Sequence, residues 1–159
     1  MQHRAHAFYG QTGVGKTFNL FHCLQQHDEF SSVLFVRSLE DLKDYNDTVD
    51  HIIFDDISFA YCRPELLIQL TDSDFHASVR ILHRNIKISP KTRKWFTHNN
   101  IEAWQPLLAT PEQEAAINRR LVLHQVHSPV EVQQVIQEIL SQESSTPTTV
   151  FKSYLPTTT

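Results

Sequence analysis

The chain has 159 residues, 40% of them hydrophobic and 20% charged, with a net charge of −4, which is one soluble domain's worth of chain with enough apolar residues for a core. That balance argues neither for nor against nucleic acid, and neither a membrane span of roughly 18 apolar residues nor the hydrophobic region of a secretory signal occurs. Cys23 and Cys62 lie far apart without ligand spacing and read as thiols of a reducing compartment, so the expected location is intracellular, away from membranes.

The first element is an apolar strand, "AHAFY" (5–9), and it runs into "GQTGVGKT". This loop holds every glycine of the chain: Gly10, Gly13 and Gly15. It fills the pattern G-x-x-x-x-G-K-[ST] between a strand and a helix expected over 15–26. A phosphate chain is held by consecutive backbone N–H groups curled around it, which requires positive φ and no Cβ in the way. The helix N-terminus behind the loop adds partial positive charge. Gly10, Gln11, Thr12, Gly13, Val14, Gly15, Lys16 and Thr17 are therefore the candidate nucleotide-binding residues. Lys16 is expected at the β- and γ-phosphates and the Thr17 hydroxyl at Mg²⁺, which makes ATP and Mg²⁺ the expected ligands.

A second strand, "VLFVR" (33–37), and a helix over 38–45 lead to a third strand, "HIIFDDI" (51–57), ending in two carboxylates. Successive side chains at a strand end point in different directions. Asp55 is accordingly assigned to the metal and Asp56 to activating a water. One strand intervenes between the glycine loop and these acids, which favours an ATPase with an additional strand over a simple kinase.

After a helix over 64–71, "VRILHRNIKI" (79–88) reads as a hairpin turning at His83-Arg84-Asn85. Arg80 to Lys94 contains six Lys/Arg and no acid, whereas 28–56 carries nine acids with only Arg37 and Lys43 as bases. The hairpin is thus a local positive patch, with His83, Arg84 and Lys87 as candidate contacts to a nucleic-acid backbone. The alternative is an edge hairpin whose charges guard against aggregation. A fourth strand, "KWFTH" (94–98), a helix over 111–119 and a fifth strand, "RLVLHQV" (120–126), complete a core placed at 1–128. His22/His27 and His124/His127 lack carboxylate or cysteine partners at ligand spacing and are read as surface or helix residues. "VEVQQVIQEIL" gives an amphipathic closing helix over 129–141, and the Thr/Pro-rich segment 142–159 a disordered tail. Strands alternating with helices imply an α/β fold with a mostly parallel sheet covered on both faces and the basic hairpin inserted.

The ordered set "GQTGVGKT", "IIFDD", basic hairpin, "WFTHNN" and "INRRLVL" resembles the superfamily 3 helicases, in particular the helicase domain of replication-initiator (Rep) proteins of circular single-stranded DNA viruses and related plasmids. The resemblance covers about residues 5–126. It implies a P-loop NTPase of the AAA+ type, a three-layer sandwich that hydrolyses ATP in a homo-oligomeric ring and moves along single-stranded nucleic acid, DNA ahead of RNA. It also implies a polar sensor at Asn99 and an arginine finger at Arg119 or Arg120 reaching a neighbouring subunit's nucleotide. A viral Rep protein would work in the host nucleus. The nuclease domain and ring-promoting segment that precede the ATPase in that family are expected to be absent, since nine residues precede the loop. The hairpin turn is His-Arg-Asn where relatives often carry Lys with glycines. An RNA helicase of an RNA virus, a small P-loop kinase and a nucleotide-binding protein without turnover remain open alternatives.

Overall fold

The computed structural model describes residues 3–11, 15–81 and 83–153, with 144–153 as backbone only. In chain order its elements are β1 (Ala5–Tyr9), α1 (Lys16–His27), β2 (Val33–Val36), a 3₁₀ turn (Leu39–Asp44), β3 (His51–Asp55), α2 (Pro64–Leu70), β4 (Ala77–Ile81), β5 (Arg84–Ile88), β6 (Arg93–His98), a second 3₁₀ turn (Ile101–Trp104), α3 (Pro111–Arg120), β7 (Leu121–Gln125) and α4 (Pro129–Ser153).

Side-chain alternation along three strands divides the core in two. Ala5 and Ala7 of β1, Ile52 and Phe54 of β3 and Phe96 of β6 face one side; Phe8, Ile53 and Trp95 face the other. The first side is covered by Leu67 and Leu70 of α2, Ile117 of α3 and the inward residues of β4 and β5. The second is covered by Leu20, Cys23 and Leu24 of α1 and by Val132, Ile136, Ile139 and Leu140 of α4. Both faces of the sheet must be apolar because its strands all run parallel, and parallel neighbours are joined by crossovers that lie on the faces. The strand order is β2-β3-β6-β1-β7, while β4 and β5 pair only with each other, antiparallel.

The expected α/β layout with a parallel sheet is present, and three local expectations are corrected. The segment expected as a helix at 38–45 is a 3₁₀ turn, closed by i→i+3 bonds from Asp41 N–H to the Ser38 carbonyl at 2.8 Å and from Tyr45 N–H to the Leu42 carbonyl at 3.0 Å. Ile81 pairs with Arg84, so Arg84, expected in the turn, already belongs to β5; Leu82 lies outside the described residues. The closing helix, expected over 129–141, is continuous to Ser153. Its first residues beyond 141 have a partner in the core: Glu143 accepts from both Nη groups of Arg93 and lies 3.6 Å from His3 Nδ1. Residues 154–159 lie outside the described residues.

Arg93 and His51, opposite each other at the start of β6 and β3, open a polar cluster at the N-terminal edge of the sheet. The Arg93 guanidinium lies 4.9 Å from the Trp95 ring centroid, and Trp95 Nε1–H donates to His51 Nδ1 at 3.1 Å. His6 stacks against Trp95, and its Nδ1 is 2.9 Å from His124 Nε2. His124, expected at the surface or on a helix, is instead a half-buried, hydrogen-bonded residue of β7. Burial first, then neighbouring positive groups, pushes His6 down to about 3 and His51 down to about 4. Both imidazoles are neutral in the folded protein, and unfolding lets them take up protons below about pH 6.5. Their contribution to stability is complete above that pH and is lost as pH falls towards the folded values. Between pH 6 and 4 the unfolding free energy is expected to drop by up to about 1.4 kcal/mol per pH unit for each ring. His6→Phe keeps the stack without the titration, so denaturant unfolding at stepped pH is expected to give a shallower acid limb; an unchanged slope refutes this assignment.

Candidate active site

The C-terminal ends of β1, β3 and β6 open onto one edge of the sheet, and the glycine loop joins β1 to α1 there. Gly15 caps α1 with φ 68° and ψ 38°, a left-handed conformation that a side chain would strain. Its carbonyl accepts from the Asn19 side chain at 2.7 Å, and Asn19 in turn accepts from Gln133 of α4 at 2.7 Å. Gly10 is needed for a different reason. Val126 N–H donates to the Tyr9 carbonyl at 2.9 Å, and a Cβ on Gly10 would stand 2.1 Å from the Val126 carbonyl oxygen. Close packing of β1 against the chain leaving β7 thus excludes a side chain at Gly10. Thr12, Gly13 and Val14 of the expected loop lie outside the described residues, and Gln11 is exposed.

Lys16 is buried, with Nζ donating to the carbonyls of Gly10 and Gln11 at 3.1 Å each and to Asn99 Oδ1 at 3.2 Å. Burial lowers its pKa, and the carboxylates of Asp56 and Asp55 oppose that shift. Thr17 Oγ1 donates to Asp55 Oδ1 at 2.7 Å and lies 2.8 Å from Thr97 Oγ1. The far oxygen of Asp55, Oδ2, accepts from Arg37 Nε at 3.3 Å. The two acids do point apart, as the sequence suggested, and the backbone supplies the reason. Asp56 has φ 60°, left-handed, with its N–H bonded to the Thr97 carbonyl at 2.9 Å. Asp is among the side chains that tolerate this region, at a cost of order 1–2 kcal/mol. Its carboxylate is 70% exposed and 3.7 Å from His98 Nε2. His98 Nδ1 accepts from the Asn100 N–H at 3.0 Å, so in the neutral ring the proton sits on Nε2, towards Asp56.

Gly15, Lys16, Thr17, Asp55, Asp56 and Asn99 thus line one cavity of about 420 Å³ with Phe18, Thr97 and His98. Two oxygens, Thr17 Oγ1 and Asp55 Oδ1, stand side by side in it, a donor set that fits Mg²⁺ shared with phosphate oxygens. Among the described residues no group of three or more His, Cys, Asp or Glu is placed to hold a metal.

Thr97, His98 and Arg37 are site residues that the sequence reading missed. Arg37 left a signal: it is one of two bases among nine acids, and the pairing of Val36 with Phe54 aligns position 37 with Asp55. In the hairpin, Val79 and Ile86 face inward while Arg80, Asn85 and Lys87 face out, and His83 and Arg84 are exposed at the tip. Arg80 lines a second cavity together with Arg37 and Asp56, which sets the turn end of the hairpin beside the site. Arg119 and Arg120 are not brought to it. They end α3 just before Leu121, which pairs with Ala5 at the opposite edge of the sheet. Five residues of strand, about 17 Å, separate them from the cavity's edge. Arg119 is exposed, and Arg120 Nη1 donates to the Ala116 carbonyl at 3.2 Å.

No family model matches the chain, and no curated protein is significantly similar to it. Among solved structures, the A-form apo structure of the C-terminal region of NrS-1 (residues 305–718) is similar to it with a TM-score of 0.46 and 17% identity over 87% of this chain. The chain spans 33% of that structure's length. Among the described residues no helix is long and apolar enough to cross a membrane.

Proposed function

We propose that this chain is a P-loop ATPase of the superfamily 3 helicase type, coupling ATP hydrolysis to movement along single-stranded nucleic acid, DNA ahead of RNA. The observation that carries the reading is the hydrogen bond from Thr17 at the start of α1 to Asp55 at the end of β3, made across the intervening strand β6, whose following residue Asn99 accepts from Lys16. A loop lysine, a hydroxyl, a strand-end carboxylate and a polar amide converge there, as phosphoryl transfer to water requires.

In this reading Lys16 exchanges its carbonyl and Asn99 partners for β- and γ-phosphate oxygens, which hold a cation more strongly. Thr17 and Asp55 would hold Mg²⁺, which when bound would neutralise charge on the phosphates. Asp56, turned outward with His98 beside it, accepts the proton of the attacking water, and Asn99 orients that water. The position of β6 between β1 and β3 favours the ATPase over the kinase alternative. The hairpin grips the strand through His83, Arg84 and Lys87. Arg119 and Arg120 serve only the nucleotide of a neighbouring copy, because the length of β7 keeps them from their own.

Lys16→Ala is expected to weaken triphosphate binding and abolish hydrolysis. Asp56→Asn is expected to bind MgATP within about threefold of the parent while kcat falls roughly 10²–10⁴-fold. Normal turnover in Asp56→Asn with none in Asp55→Asn would reverse the two roles. Joint replacement of His83, Arg84 and Lys87 by Ala is expected to lower the ratio of polynucleotide-stimulated to basal ATPase. It should also reduce the log–log salt slope of strand binding by about 1.4, roughly 0.7 for each lost Lys or Arg contact. An unchanged slope moves the strand elsewhere. Finally, Lys16→Ala and the Arg119→Ala/Arg120→Ala double variant, each inactive alone, are expected to regain part of the activity when mixed. No regain means that the arginine pair does not act between copies.

A further inference from the structure

Phe18 follows Thr17 in the first turn of α1, and its ring is 70% exposed on the wall of the cavity that holds Lys16 and Thr17. The buried flank of α1 is formed by Lys16, Asn19, Leu20, Cys23 and Leu24, so Phe18 takes no part in the core. One turn further along, the His22 ring lies parallel to it, with 5° between the planes and 6.0 Å between centroids. An i, i+4 pair of this kind gives the two rings one common orientation on the helix surface. A large apolar face is therefore held open at the mouth of an otherwise polar cavity.

We propose that Phe18, backed by His22, is the ledge on which the nucleobase of the bound nucleotide stacks, an inference that rests on the nucleotide reading above. In the nucleotide reading the terminal phosphate reacts beside Asp55, Asp56 and Asn99, and the phosphates before it lie against Lys16 and Thr17, which contact Asn99 and Asp55. The nucleoside end then leaves along α1, and the next side chain in that direction is Phe18. Every base has a π-face, so stacking on an aromatic ring is tolerant of base identity. The consequence is a specificity statement: purine nucleoside triphosphates in general are ligands, and adenine is not selected strongly over guanine.

The test is a calorimetric titration of the whole chain, with Mg²⁺, against the non-hydrolysable β,γ-imido analogues of ATP and GTP and against inorganic tripolyphosphate. Both nucleotide analogues are expected to bind the parent within about fivefold of each other. Phe18→Ala is expected to weaken both about tenfold and leave tripolyphosphate unchanged, whereas Phe18→Trp restores the nucleotides. Because Phe18 is exposed, the thermal midpoint of Phe18→Ala should match the parent's. Unchanged nucleotide binding in Phe18→Ala, or an equal loss for tripolyphosphate, overturns the ledge and leaves the nucleotide site standing. A discrimination between the two bases of a hundredfold or more overturns the base tolerance. A parent chain that binds none of the three overturns the nucleotide reading itself, and the ledge with it.

Discussion

A slip of β6 by one residue between β1 and β3 would exchange Trp95 and Phe96 across the sheet, and both rings are fully buried. Trp95 lies opposite His6 on one neighbour and Ile53 on the other, so two parallel ladders share this residue. Phe96 stacks on Phe54 with centroids 4.6 Å apart and meets Phe59 edge-on. The register these rings enforce continues one residue further to Thr97, opposite Asp55. There the same ladder brings a hydroxyl to Asp55 and to Thr17. Core packing and site geometry are two consequences of one alignment, and a change that loosens the first displaces the second.

The two edges of the sheet treat charge in opposite ways. At the N-terminal edge Arg93 is drawn under α4, paired with Glu143 and laid on Trp95, and the imidazoles of His6 and His51 are neutral. Removing one partner of this partly buried pair leaves the other charge without compensation. This edge ties α4 to the sheet. At the C-terminal edge the carboxylate of Asp56 and the guanidinium of Arg37 remain largely exposed, and the backbone bends into a left-handed turn to keep Asp56 so. Strain of this type persists where the surrounding structure holds it, here the bond from Asp56 N–H to Thr97.

The hairpin makes use of that exposed edge. Its inward residues Val79, Ile86 and Ile88 belong to the core on the α2–α3 side, which leaves Arg80, Arg84 and Lys87 facing out. Arg80 thereby brings a positive side chain into the cavity it shares with Arg37 and Asp56.

Local chemistry was legible in the residues themselves. Alternation placed the strands to within a residue or two, the glycine loop announced the strand-to-helix turn, and the clustered bases of 80–94 marked the hairpin, because each depends on a few neighbouring positions. Long-range pairing was not legible. Arg37 reaches Asp55 through the alignment of β2 with β3, Thr97 reaches Thr17 through β6, and Gly10 is required by Val126, more than a hundred positions away in the chain. Glu143 joins the core by pairing with Arg93, which no polar composition of the tail foretells. Strand register and crossover placement are set by which distant surfaces bury each other, and a single sequence records those partners without pairing them. The types of side chain at the candidate site were therefore legible along the chain, and the tertiary structure decided which of them meet.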